Sequence, residues 1–313
     1  MDLNNKQQEQ CRLPYQLRTI SVEGGDLAVA RWGEAGPVIL AIHGITASHR
    51  EFVALADALD TPCQLLAPDL RGRGQSRGIT GPWGMSAHAK DMVAVLDAFG
   101  LERADVVVGH SMGGFVGAVM AAQYPQRCGR LLLVDGGLAI MPPIPFHRIP
   151  LIGDWLIRKL VQRVLGPALE RLDMEFESVD AYREYWRDHP ALRDEWSGYI
   201  EDYLEYDLYG EPPKLRPTTN KQALMQDVRT QLFEDIVPIA LQKVSGPVRF
   251  LRAPRGLMNG KALYSPKQLA KGARRIAEFS SADIDETNHY TILLSRHGAA
   301  AVAADINAVL SAA

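Results

Sequence analysis

Residues 104–116 read Ala-Asp-Val-Val-Val-Gly-His-Ser-Met-Gly-Gly-Phe-Val, so a run of valines leads straight into Gly-x-Ser-x-Gly and an apolar, Ala/Gly/Met-rich stretch follows. That order of residues predicts a strand, an abrupt turn and a helix. Such a turn brings the backbone too close to itself to leave room for side chains two positions either side of its tip. Gly109 and Gly113 relieve the crowding and leave Ser111 raised at the tip in a strained conformation. Gly-x-Ser-x-Gly by itself can be an ordinary glycine-rich turn. At a strand-to-helix junction, with a second glycine at 114, it points to an exposed serine nucleophile.

The rest of the chain supplies a frame for that turn. Gln16 to Val22 and Leu27 to Trp32 read as two strands of a hairpin around Gly24-Gly25. Pro37 to Ile42 is a continuous apolar run, as expected of a strand buried on both faces. Phe52 to Leu59 is helical in pattern, and Gln64 to Pro68 is the next strand. A helix from Ser86 carries Met92, Val95, Leu96 and Phe99 on one face and stops at Gly100. Further strands are read at Arg130 to Val134, Pro247 to Leu251 and Phe279 to Ile284, with helices at Ser265 to Ile276 and Thr291 to Leu310. Strands alternating with helices at this spacing call for an α/β fold with a mainly parallel sheet covered on both faces.

The alternation breaks after Met141. From there to about Asp235 no strand is read, and aromatic residues crowd together, among them Trp186, Trp196 and Tyr203. A helical insertion over 142–235 is the simplest account. It divides the chain into a flexible leader (1–14), a core (15–141 and 236–313) and the insertion.

Composition narrows the function. The chain has 313 residues, 47% of them hydrophobic, and a net charge of −3. That is ample for a buried core and gives no electrostatic footprint for nucleic acid or an anionic membrane. The aromatic stretch 182–209 also carries many carboxylates, which would repel phosphates. Cys11, Cys63 and Cys128 are odd in number and scattered, which argues against a disulfide framework. The polar N-terminus lacks the apolar stretch of a signal peptide, and no run is long enough to span a membrane, so a cytoplasmic protein is expected. No carboxylate or histidine cluster has metal-ligand spacing, and neither cofactor nor metal is expected. Homo-oligomerisation stays open.

A serine needs a base to remove its proton. Of eight histidines, His289 follows the last strand and precedes the closing helix. That puts it at the carboxyl edge of the sheet, the edge that carries Ser111 and where open parallel sheets place their sites. His43 and His110 sit on the same edge and are expected among the substrate contacts. Trp186 and Tyr203 of the insertion are expected to line an apolar pocket there.

Gly109-His110-Ser111-Met112-Gly113-Gly114, His43-Gly44, the Asp69-x-Arg-Gly-x-Gly-x-Ser76 turn and the late His289 together resemble the α/β-hydrolase superfamily, from about residue 16 to 311. The resemblance implies an eight-stranded, mostly parallel sheet with the insertion at the position of a cap. It also implies an oxyanion hole made by the backbone N–H groups of Ile45 and Met112, with His43-Gly44 shaping the loop that aims Ile45. Two preorganised donors in a dry site would each stabilise a tetrahedral intermediate by ~3 kcal/mol.

One element departs from the family pattern. The usual acid follows the strand at Val248–Leu251, but residues 252–256 read Arg-Ala-Pro-Arg-Gly, and no Asp or Glu occurs between Asp235 and Glu278. Asp135, at the end of the strand after the nucleophile's, is the best substitute, and some members of the superfamily carry their acid there. The plainer alternative is that Asp135 only caps the Gly136-Gly137 turn. Asn259 could orient an imidazole but could not stabilise its charge. The expected function is a serine hydrolase of carboxylic esters acting on a small molecule with an apolar part. Lactone, amide, thioester and carbon–carbon bond hydrolysis stay open, and so does a ligand-binding protein with little turnover.

Overall fold

The computed structural model describes residues 14–139 and 166–311, together with Trp155, Lys159 and Gln162. The leader up to residue 13 and most of the first part of the insertion (140–165) lie outside the described residues. The strands of the main sheet are β1 (Tyr15–Val22), β2 (Gly25–Trp32), β3 (Val38–Ile42), β4 (Gln64–Pro68), β5 (Ala104–His110), β6 (Cys128–Val134), β9 (Val248–Arg252) and β10 (Phe279–Asp283), with β7 (Leu208–Tyr209) and β8 (Arg216–Pro217) apart from it. The helices include α1 (Val53–Ala58), α2 (Met85–Ala98), α3 (Met112–Gln123), α4 (Val179–Arg187), α5 (Gly198–Tyr206), α6 (Lys221–Phe233), α7 (Ile236–Lys243), α8 (Pro266–Ala273), α9 (Thr291–Leu294) and α10 (Arg296–Ser311).

Eight strands form one sheet in the order β1-β2-β4-β3-β5-β6-β9-β10. β2 is antiparallel to both neighbours, and every pairing from β4 to β10 is parallel. Apolar runs suit the central strands because both faces are covered. Leu40, Val107, Leu131 and Leu133 enter a core shared with α2, α3 and α7. Their neighbours Ile39, Ala41, Val106, Val108, Leu132 and Val134 enter a second core shared with α1 and α10. This is the two-residue period of a pleated strand read against two apolar layers. α3 lies between sheet and helices and is buried from Met112 to Ala121, which explains why its sequence is apolar all round.

Three local expectations need correction. The helix read at Phe52 to Leu59 begins earlier, as a tight 3₁₀ turn at His49–Phe52 capped by Ser48, and then continues as α1. The closing helix breaks at Ser295, whose backbone is extended (φ −100°, ψ 152°), and the Ser295 hydroxyl restarts it by accepting from the Gly298 N–H at 3.0 Å. The insertion read as strandless contains the β7–β8 pair, two residues a side and too short to leave any periodicity.

Between β6 and α7 the chain builds α4, α5 and α6. Tyr182, Leu192, Ile200 and Leu204 form a small apolar cluster of their own, joined by Leu294 of α9. Polar pairs, buried or half-buried, tie this segment to the core. Arg50 donates to both Asp202 carboxylate oxygens at 3.1 Å, and the Tyr206 hydroxyl donates to Asp69 at 2.8 Å. Arg73, in the loop after β4, pairs with Asp227 of α6, and both side chains are fully buried.

Candidate active site

The parallel register brings the ends of β3, β5, β6 and β9 to one edge, with Ile42 beside Gly109, His110 beside Val134, and Val134 beside Leu251. Ser111 follows β5 directly, at φ 50° and ψ −117°, a left-handed conformation that a non-glycine residue holds only under strain. Its surroundings enforce the geometry. The Ser111 N–H donates to the Val134 carbonyl at 3.1 Å. A Cβ at Gly109 would run into the Gly113 carbonyl, and one at Gly113 into the Ile42 carbonyl. Only glycine lets β5, the turn and α3 approach this closely.

His289 lies in the loop between β10 and α9. Asn288 holds that loop, its Oδ1 accepting from the Tyr290 and Thr291 N–H groups at 3.0 Å each and its Nδ2 donating to the Ala191 carbonyl at 2.8 Å. The imidazole reaches Ser111 Oγ through Nε2 at 3.1 Å and Asp135 Oδ2 through Nδ1 at 2.7 Å. Asp135 directly follows β6, at φ 43°. Its N–H extends the β6–β9 ladder by donating to Leu251 O at 2.8 Å, and its Oδ1 accepts from Ala253 N–H at 3.2 Å. The carboxylate is thus fixed between two strand ends with one oxygen left for the imidazole. Asn259 turns elsewhere, accepting from Asn288 Nδ2 at 3.1 Å. Burial holds the His289 imidazole below its ordinary value of 6.5, the Asp135 hydrogen bond pulls it up, and the charge on His110 pushes it down again.

His43 and His110, expected to face a substrate, are instead buried, each with both ring nitrogens bonded within the protein. His43 Nε2 accepts from Leu70 N–H at 2.9 Å, so Nδ1 carries the proton and donates to Gly44 O at 2.7 Å. Burial pushes its pKa down to about 4. The bond has a geometric consequence. A trans peptide directs its C=O and N–H to opposite sides, so pinning the Gly44 carbonyl inward turns the Ile45 N–H outward. The loop lies against the serine, with a Cβ on Gly44 falling 3.4 Å from Ser111 Cβ. On its other side, Ile45 O accepts from Arg73 Nε at 2.9 Å. Met112 opens α3, where the first N–H groups have no partner within the helix and the dipole is positive.

Aromatic rings gather beside His289. Tyr290 stands 5.7 Å from the His289 ring and 6.5 Å from Trp186, which lies 5.1 Å from His189. Tyr203 is buried in the same cluster. Nothing in the sequence signalled the pairing of His110 with Glu51, at 2.9 Å, or that of Arg73 with Asp227. Among the described residues no group of three or more His, Cys, Asp or Glu side chains is placed to hold a metal ion, and no helix is long and apolar enough to cross a membrane.

Known proteins resemble this chain in sequence and in fold. The chain is 32% identical over 273 residues to the 3-hydroxybutyrate-oligomer hydrolase of Cupriavidus necator, covering 84% of this chain and 86% of that protein. It is 40% identical over 116 residues to lipase LipV of Mycobacterium tuberculosis, covering 37% of this chain and 43% of the lipase. Several relatives, that lipase among them, are thus spanned over less than half of their own length. Among solved structures, E-2-(acetamidomethylene)succinate hydrolase superposes with a TM-score of 0.73 at 23% identity, covering 95% of this chain and 99% of that one, a likeness of fold. A family profile described as alpha/beta hydrolase fold matches residues 37–213. Because that profile spans more than half of the chain, from the third strand well into the insertion, this protein belongs to the α/β-hydrolase family.

Proposed function

We propose that this chain hydrolyses carboxylic esters, with Ser111 as nucleophile, His289 as base and Asp135 as the acid that orients and stabilises it. One observation carries the reading: the unbroken line of hydrogen bonds from Ser111 Oγ through both His289 nitrogens to Asp135. In that line His289 Nδ1 donates to the carboxylate, which leaves Nε2 unprotonated and aimed at the hydroxyl. Ser111 Oγ attacks the ester carbonyl while its proton passes to His289 Nε2. The former carbonyl oxygen gains a full negative charge, and the N–H groups of Ile45 and Met112 receive it. Collapse of the intermediate expels the alcohol, which takes the proton from Nε2. Water then attacks the acyl-serine by the same route and releases the acid.

The names of two relatives, a lipase and a hydroxybutyrate-oligomer hydrolase, favour ester over amide bonds. Residues 142–235 act in this reading as a cap, and the Trp186 and Tyr203 region supplies the apolar wall of the pocket. Amide, lactone and carbon–carbon hydrolysis are alternatives on the same machinery.

A fluorophosphonate probe and a p-nitrophenyl ester series of increasing acyl length test the proposal. The probe should label the wild-type protein and spare Ser111→Ala and His289→Ala. Ester turnover in both variants should fall to a small residue, and their double variant should be little worse than either. A folded Ser111→Ala protein that keeps near-full activity would overturn the nucleophile assignment.

A further inference from the structure

His110 sits beside the nucleophile in sequence, yet its side chain turns away from any substrate. It is buried, and both of its nitrogens meet acceptors. Nδ1 lies 2.9 Å from Glu51 Oε1, and Nε2 lies 2.9 Å from the backbone carbonyl of His289. A carbonyl can only accept, so Nε2 must carry a proton. The second Glu51 oxygen accepts from Gly44 N–H at 3.1 Å, which favours the ionised carboxylate, and an ionised carboxylate requires a proton on Nδ1 as well. With Glu51 ionised, His110 is an imidazolium paired with a buried carboxylate, and its ring centroid is 4.7 Å from that of His289.

We infer that the His110–Glu51 ion pair is the positioning device of the base, gripping the His289 backbone through its carbonyl and keeping a fixed positive charge behind the imidazole. The inference rests on the reading of His289 as general base. The grip matters because His289 is carried on a loop, and a nitrogen that must stay near 3 Å from Ser111 tolerates little drift. The charge matters because Asp135 alone would draw a proton onto the resting base. His110 opposes that pull, while Glu51 balances the charge so that the imidazolium formed during turnover does not face an uncompensated cation.

The other groups around the pair are His43, Asp135, Tyr203 and Tyr290. Burial holds His43 neutral near pH 7 and raises the pKa of both tyrosines, so Asp135 is the further charge. Burial works against the charged form of both partners, yet their mutual attraction leaves His110 above its usual value and Glu51 below its own.

Two measurements test this. In nitrogen-proton NMR of the resting enzyme, assigned by loss of signal in His110→Gln, both His110 ring nitrogens should stay protonated from pH 6 to at least pH 8. A singly protonated His110 at pH 7 overturns the inference, whatever the enzyme's activity. In kinetics, the acid limb of the kcat/KM profile reports the free base. In His110→Gln that limb should move to higher pH by about 0.5–1 unit, with a fall in kcat. Where that variant fails to fold because it strands Glu51, the neutral pair Glu51→Gln/His110→Gln should fold and show a smaller shift in the same direction. A folded variant with lowered kcat and an unmoved limb would mean that the pair is only structural. The hydrolase reading fails differently: wild-type protein would then escape the fluorophosphonate probe, or show no acid limb at all.

Discussion

Asp135 shows how one residue acquires its partners from where its strand ends. The chain places no carboxylate at the usual turn after β9, and the neighbouring strand offers one a single residue past its last rung. Its left-handed backbone, tolerable for Asp, lets one oxygen bond Ala253 N–H while the other meets His289 at 2.7 Å. Asp135→Asn should keep the fold and lower kcat by roughly 10⁴-fold with KM little changed, because an amide can hold the wrong tautomer and carries no charge for the imidazolium. Steady-state kinetics on a p-nitrophenyl ester would show it, and a loss below tenfold would remove Asp135 from the machinery. The pH dependence follows from His289. A base held below its ordinary 6.5 stays neutral at pH 7 and loses function only as the pH falls through its lowered value. The acid limb of kcat/KM should therefore lie below pH 6.5 in the wild-type protein.

At the scale of elements, α6 of the insertion and the loop that carries Ile45 are joined through two buried side chains. Asp227 pairs with Arg73 and accepts from Gly84 N–H at 2.7 Å, and Arg73 Nε holds the Ile45 carbonyl. Burial would raise the Asp227 carboxyl, but His88 and Arg73 hold it at about 2, so it stays ionised. Asp227→Asn should strand the Arg73 charge and cost about 3–5 kcal/mol in equilibrium denaturation. It should also lower kcat at the catalytic edge, a coupling that a purely local cap contact would not produce. Denaturation midpoints and kcat measured on the same preparation would separate the two. Neither pairing was legible in the sequence. Arg73 and Asp227 are 154 residues apart and His110 and Glu51 are 59 apart, and an isolated Asp or Glu on a helix reads as a solvated side chain.

For the molecule as a whole, one sheet carries two apolar cores, and the insertion between β6 and β9 returns to it through Arg50–Asp202, Tyr206–Asp69 and Arg73–Asp227. Ties of this kind, at least half-buried and made to different parts of the core, should make core and insertion unfold together. Calorimetry should give one transition, and an early separate one would show an insertion that melts by itself. What the sequence determined by itself is what lies close along the chain. The strand-to-helix turn at Ser111 follows from valines and glycines within a few positions, and the alternation of strands and helices follows from apolar periodicity. The order of elements carried His289 to the serine's edge of the sheet. The tertiary structure decided which side chains meet there. Asp135 rather than Asn259 faces His289, and His43 and His110 point inward to a carbonyl and a carboxylate instead of outward to a substrate. Local patterns are written by sterics and by burial, which act between near neighbours. A buried hydrogen bond needs a partner at about 3 Å, and only the order and register of the strands bring distant residues that close.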